Sequence, residues 1–256
     1  MKLLAGPARR LFPAHCRLCA APVALPRAAA IAAAKATRAA AADRELCAAC
    51  RAELPRNRHP CPRCARPLAD AAAAAGPCGS CLRRPPGWRA ACVPFVYAAP
   101  CDFLVARLKF NRELACARLL GELLADALLA ATGDGAPPAA RLDAILPVPL
   151  HPRRLRERGF NQSREIARTV GARLGLPVAA GLARRSRDNV PQRLLSRAAR
   201  RQNMRGAFAA DAAVRGRRLA ILDDVVTTGA TATALAAALR RAGALEVELW
   251  ALARVP

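Results

Sequence analysis

Two parts of this chain carry residue types and spacings able to do chemistry. The first is a set of four CxxC pairs, Cys16/Cys19, Cys47/Cys50, Cys61/Cys64 and Cys78/Cys81. A CxxC turn places two thiolates on one side of a tight knuckle. Two knuckles close a tetrahedron around zinc and leave no open position, as a structural site requires. Eight ligands therefore imply two structural zinc ions. The simplest pairing is sequential, with Cys16, Cys19, Cys47 and Cys50 on one ion and the other four on the second. Spacing alone also permits an interleaved pairing. A redox role would need a thioredoxin-like strand and helix around the pair, and none is legible.

The second part is Arg218 to Gly243, RLAILDDVVTTGATATALAAALRRAG. Asp223 and Asp224 stand at the carboxyl end of a short apolar run, reading as solvent-facing carboxylates. Val225 and Val226 follow, then Thr227, Thr228, Gly229, Ala230 and Thr231. Two adjacent carboxylates repel a phosphate but suit the vicinal hydroxyls of a ribose or a magnesium ion. The start of a helix offers unpaired N–H groups and a partial positive charge to an anion. Gly229 lets the backbone approach closely, and the three threonines add hydroxyl donors. A sugar over the acids and a phosphate at the turn together describe a ribose 5-phosphate.

A third stretch is densely basic. Val148, Pro149 and Leu150 lead into HPRRLRERGFNQ (151–162), where Arg153, Arg154 and Arg158 present guanidinium forks suited to pyrophosphate oxygens. His151 beside a proline reads as a loop residue rather than a base.

These groups need elements to hold them. Leu219 to Leu222 is short and wholly apolar, as in a strand covered on both faces. The helix after the turn carries Leu235 and Leu239 one turn apart and stops at Gly243. Val93–Ala98, Leu142–Leu146 and Glu246–Leu252 read as further strands. Asp102–Asn111, Glu113–Ala131 and Gln162–Leu174 read as helices, the second with a broad leucine face and the third with Ile166, Val170 and Leu174 four apart. Strands alternating with helices imply an α/β fold with a mainly parallel sheet, whose ligands bind at the carboxyl ends of strands. LRRPPGWR (82–89) reads as a linker. It divides residues 1–89, a small cysteine-rich region, from a domain at 90–256. Ala28–Ala42 reads as an exposed helical insertion inside the first region, and 184–208 as a mobile arginine-rich arm. Cys92, Cys101 and Cys116 read as packed core.

Of 42 basic residues three are lysines (Lys2, Lys35 and Lys109) and the rest arginines, against only 18 acids and a net charge of +24. A surplus of this size points to a polyanion, nucleic acid above all. No stretch is long and apolar enough to span a membrane. The amino end has arginines where a signal peptide needs an apolar run, so a cytoplasmic location is expected. In that compartment the cysteines point to metal rather than disulfides.

ILDDVVTTGAT resembles the binding motif of type I phosphoribosyltransferases for phosphoribosyl pyrophosphate (PRPP), without departure. Taken with the CxxC pairs, PVPLHPRRLRERGFNQ and PQ…LSRAARRQN…RGAF, it makes nearly the whole chain resemble the ComF family, the alanine-rich insertion aside. The resemblance implies a double zinc ribbon before a phosphoribosyltransferase domain, PRPP bound with Mg2+, and a pyrophosphate loop at Val148–Leu150. It also implies a role in natural competence, handling incoming single-stranded DNA alongside a helicase-like partner. Two functions stay open: a DNA-handling protein with PRPP as ligand, or an active phosphoribosyltransferase in which Asp223 and Asp224 serve catalysis by holding the ribose. A third is a zinc-ribbon nucleic-acid binder with a decayed enzyme domain.

Overall fold

The computed structural model describes residues 15–23, 45–131, 137–186 and 206–256. The alanine-rich stretch 28–42 and most of the arginine-rich arm lie outside the described residues. Two compact units divide at Leu54/Pro55.

The first unit holds a knuckle at Cys16, where Cys16 N–H donates to the Ala21 carbonyl and Ala20 N–H to the Cys16 carbonyl. Ala20 takes a positive φ of 60° to close it. Helix α1 (Ala48–Ala52) is capped by the Cys47 thiol, which accepts from Cys50 N–H.

The second unit opens with the same device. Cys61 N–H donates to the Arg66 carbonyl, Ala65 N–H to the Cys61 carbonyl, and Ala65 has a φ of 53°. Helix α2 (Ala71–Ala74), capped by Asp70, and α3 (Gly79–Arg83), which starts just after Cys78, complete this knuckle. The sequence division at 89/90 follows the cysteine pattern, whereas the packing follows apolar contact. Ala65 and Trp88 belong to the same buried core as the sheet, so the second knuckle and the proline-rich segment are part of the larger unit.

Strands β1 (Ala91–Cys92) and β2 (Phe95–Val96) follow. Helices α4 (Cys101–Asn111), α5 (Leu114–Ala130) and α6 (Pro138–Arg141) then lead to β3 (Ala144–Pro147). Next come α7 (Pro152–Arg158), α8 (Gln162–Leu174) and a ribbon of β4 (Ala183–Arg185) with β5 (Phe208–Ala210). The chain ends with β6 (Arg218–Val226), α9 (Ala230–Arg241) and β7 (Glu246–Arg254). The main sheet has the order β1-β7-β6-β3, with β2 also on β7, and every pairing in it is parallel.

The strand expected at 93–98 is instead two short pieces on one edge of β7. Pro94 interrupts them because it has no N–H to give the ladder. The basic turn after β3 is a helix, α7, started by His151, whose side chain accepts from Arg153 N–H, and closed by Gly159 at φ 83°. Alternation along β6 explains the layers. Leu219 and Ile221 join Leu235 and Leu239 of α9 and Phe208 of β5 in one core. Ala220 and Leu222 face the other way, on the side where Ile145 approaches α8. There α8 lies so close to α5 that a Cβ on Gly121 would sit 2.6 Å from Thr169 Cβ. Cys101 and Cys116 are buried as expected, and Cys92 is half-buried.

Candidate functional site

Two four-cysteine groups able to hold a metal ion follow from the knuckles. The four Sγ atoms of Cys16, Cys19, Cys47 and Cys50 all lie within 4.8 Å of one another, and so do those of Cys61, Cys64, Cys78 and Cys81. The pairing is thus sequential. Zn–S bonds of about 2.3 Å give a tetrahedron with edges of about 3.8 Å. Cys19 to Cys47 measures 3.7 Å and Cys64 to Cys78 3.8 Å. Burial acts against ionisation of Cys16, but backbone N–H groups of Cys19, Cys47 and Leu18 bring its thiol down to about 6. Cys61 likewise falls to about 7 despite its burial, through N–H groups of Cys78, Cys64 and Arg63. In each group another thiol, Cys50 or Cys81, is pushed up by burial and by its neighbouring cysteines. A thiol that ionises readily beside one that resists ionisation is an arrangement that a divalent cation among the four sulfurs satisfies.

The acid pair sits inside β6 rather than beyond its end, because the strand keeps pairing with β7 as far as Val226↔Arg254. The two carboxylates are therefore not solvent-facing. Asp224 is buried and Asp223 half-buried. Lys109, at the end of α4, forms an ion pair with Asp224. Gln162 Nε2 donates to Asp224 Oδ1 over 3.3 Å, and Ser163 Oγ donates to Asp223 Oδ1 over 3.2 Å. Burial alone would raise Asp224, but Lys109 outweighs it and holds the carboxylate below its usual range. Burial, then the Asp224 charge, pushes Asp223 up to about 8. One of the two acids is thus fixed as an anion while the other stays close to a proton.

The turn follows directly. Gly229 has a φ of 76°, a region open to glycine, and the twelve-residue helix α9 starts after it. Thr228 Oγ1 accepts from Ala230 N–H over 3.3 Å. Thr227 is exposed, and Thr228 and Thr231 are half-buried. Val225 is half-buried, and Val226 and Ala230 close the apolar floor of the turn.

The basic stretch divides in two. Val148 is buried beside β6, its N–H donating to the Leu222 carbonyl and its carbonyl accepting from Asn161 Nδ2. Pro149 and Leu150 follow at the same carboxyl edge. Arg158 turns inward, donating to Gln162 Oε1 over 2.6 Å, close enough to Asp224 for the carboxylate to act on it. Burial lowers Arg158. Arg153 and Arg154 instead lie on the exposed face of α7 beside Glu157. The fold therefore gathers the acid pair, the turn, Val148 and Arg158 at one edge, and leaves Arg153 and Arg154 on the surface.

Sequence reasoning missed Lys109, Ser163 and Arg254. Lys109 carried one signal: it is one of three lysines among 42 basic residues. Arg254 lies two residues past the strand expected at Glu246–Leu252, yet it is a buried β7 residue whose Nη1 lies 3.6 Å from where a Cβ on Gly229 would stand.

No family model matches the chain. Over 212 residues it is 36% identical to the DNA utilization protein YhgH of Escherichia coli O157:H7, covering 82% of this chain and 90% of that protein. The chain belongs to the ComF family. Competence protein F of Haemophilus influenzae, 34% identical over 181 residues, covers 69% of this ComF-family chain and 78% of its own length. Among solved structures, the glutamine PRPP amidotransferase from B. subtilis complexed with ADP and GMP is 25% identical. It covers 53% of this chain and 25% of that one at a TM-score of 0.35. Among the described residues of this ComF-family protein, no helix is long and apolar enough to cross a membrane.

Proposed function

We propose that this ComF-family protein binds PRPP, or a related ribose phosphate, at the carboxyl end of β6 and handles single-stranded DNA in the cytoplasm during natural transformation. The observation that carries the ligand is the order of groups along one strand and turn. Asp223 and Asp224 are followed within a few residues by a glycine at positive φ and the start of α9. The acids accept from the ribose hydroxyls, and the N–H groups of the first turn of α9 with the Thr227, Thr228 and Thr231 hydroxyls take the 5-phosphate. Arg158 and the Val148–Leu150 edge receive the pyrophosphate. Asp224 is already matched by Lys109, so a Mg2+ accompanying PRPP would be held by groups other than that carboxylate and would offset the pyrophosphate charge. The two four-cysteine groups hold structural zinc.

The DNA role draws on the names of the relatives and on the charge of +24. Arg153 and Arg154 are exposed for phosphate contacts, and a helicase-like partner belongs to the same reading. A second reading, transfer of ribose 5-phosphate to an acceptor, is favoured by the intact run from Asp223 to Thr231. Positioning and electrostatics would carry that step, with pyrophosphate leaving C1 as the acceptor bonds to it. Incubation with PRPP, Mg2+ and a panel of nucleophiles separates the two: bound but uncleaved PRPP supports the first reading, released pyrophosphate the second. No PRPP binding at all overturns both.

A further inference from the structure

A cavity of about 940 Å³ runs along α9 from the turn at Thr228 and Gly229 to Arg241, and its opposite wall is the second knuckle with the proline-rich segment. Cys64 and Cys81 line it, as do Arg66, Arg83 and Arg84, and among the described residues no acidic one does. At its inner end stands Arg254, 3% exposed. Its Nε and Nη1 are buried and have no hydrogen-bond partner among the described residues. A buried guanidinium with unused donors is costly, because an unmet donor loses its water without replacement. The Arg254 donors lie beside the first turn of α9, whose own N–H groups also lack intrahelical partners. The unused Arg254 donors and the N–H groups of this first turn, apart from Ala230 N–H on Thr228 Oγ1, thus converge on one volume that no acceptor among the described residues fills.

We propose that this cavity is a binding site for a phosphate ester, anchored by Arg254, and that the second four-cysteine knuckle forms one of its walls. A tetrahedral dianion meets both sets of donors at once. Cys64 and Cys81 of the knuckle line the same cavity as Arg254. The volume exceeds what a phosphate alone needs, and Arg66, Arg83, Arg84 and Arg241 suit it to further negative charge. A free ribose phosphate and a nucleic-acid strand both supply this chemistry.

The inference rests in part on the reading that the Thr227–Thr231 turn takes a phosphate, so the test keeps the two apart. Zinc-loaded full-length protein is titrated with ribose 5-phosphate, PRPP with Mg2+, and a short oligothymidylate. Arg254→Gln is expected to weaken ribose 5-phosphate and PRPP by about 10- to 100-fold, as for a charged hydrogen-bond donor removed. Arg168→Gln, which removes the same charge from the exposed face of α8, is the control and is expected to change neither. If oligothymidylate competes with ribose 5-phosphate and is weakened alongside it, the strand is a source of the phosphate. If it does not compete, the free sugar phosphate is the ligand. Should Arg254→Gln not fold, Arg254→Lys keeps the charge but loses the fork, and a several-fold loss is expected. Wild-type affinity in whichever of these variants folds overturns the inference. PRPP binding that is lost in Asp223→Asn/Asp224→Asn yet kept in the Arg254 variant would sink this inference alone. Absence of all binding by the wild type would sink both.

Discussion

Replacing Lys109 by Met tests whether the acid pair is held as described. The Lys109 side chain is 21% exposed and that of Asp224 5%. Removing the ammonium leaves a carboxylate buried beside a second carboxyl, with the Gln162 amide still donating to it but no opposite charge paired with it among the described residues. Breaking a buried pair from one side costs about 3–5 kcal/mol, and the residual exposure of Lys109 places this case near 3 kcal/mol. For a unit of this size that is a fall in Tm of roughly 6–12 °C. Burial works against the Lys109 charge, but Asp224 raises it overall, while Lys109 lowers Asp224. The Lys109 contribution is thus full below the unfolded lysine value and lost as pH rises through its raised value. That of Asp224 is full above the unfolded aspartate value and lost as pH falls through its lowered value. Between these limits the pair is intact, so pH 7 is the place to measure. Urea unfolding of Lys109→Met, Asp224→Asn and the double variant gives the coupling. The double variant is expected to be more stable than Lys109→Met alone, because its buried group is neutral. A Lys109→Met loss under about 1 kcal/mol, in the range of exposed pairs, or strict additivity in the cycle, would refute the reasoning.

Asp223 gives the opposite pH signature. Burial and Asp224 raise it from 3.8 to about 8, so its stabilising contribution is present below pH 3.8 and is lost as pH rises through 8. Asp223→Asn should therefore gain stability relative to wild type between pH 5 and pH 9 in urea unfolding. Elemental analysis should find two zinc ions per chain. Cys78→Ser should remove one and lower the melting temperature of the Pro55–Pro256 unit, whereas Cys16→Ser should remove one without that loss. Gly229→Val should cost on the order of 1–2 kcal/mol through its φ of 76° rather than through crowding, since a Cβ there meets nothing closer than 3.6 Å. Its thermal unfolding and PRPP affinity are measured together. Arg153→Gln/Arg154→Gln should flatten the salt dependence of oligothymidylate binding by ~1.4 units, at ~0.7 per lost phosphate contact. An unchanged slope would remove α7 from the DNA surface.

The parts of the fold legible in the sequence are those whose pattern is local. The leucine face of α5, the Ile166/Val170/Leu174 spacing of α8 and the apolar run of β6 each state their own geometry, and all three elements form there. The four CxxC pairs were equally plain, and only their sequential grouping needed coordinates. What stayed hidden depends on packing at long range. β6 continues through its acids because β7 pairs with it that far, which no residue of β6 announces. Lys109 reaches Asp224 across more than a hundred residues. Trp88 looked like part of a linker, but its indole donates to the Arg63 carbonyl over 2.6 Å and its ring enters the sheet core. Arg254 falls outside the strand legible at Glu246–Leu252 and is a buried neighbour of Gly229.

The central claim is that the carboxyl end of β6 is a ribose-phosphate site. Calorimetric titration of zinc-loaded protein with PRPP and Mg2+ addresses it most directly, run beside the Asp223→Asn/Asp224→Asn variant. One PRPP per chain is expected for the wild type, with the double variant folded and its affinity lowered at least tenfold. No binding to the folded wild type, or equal affinity in the variant, would contradict the claim.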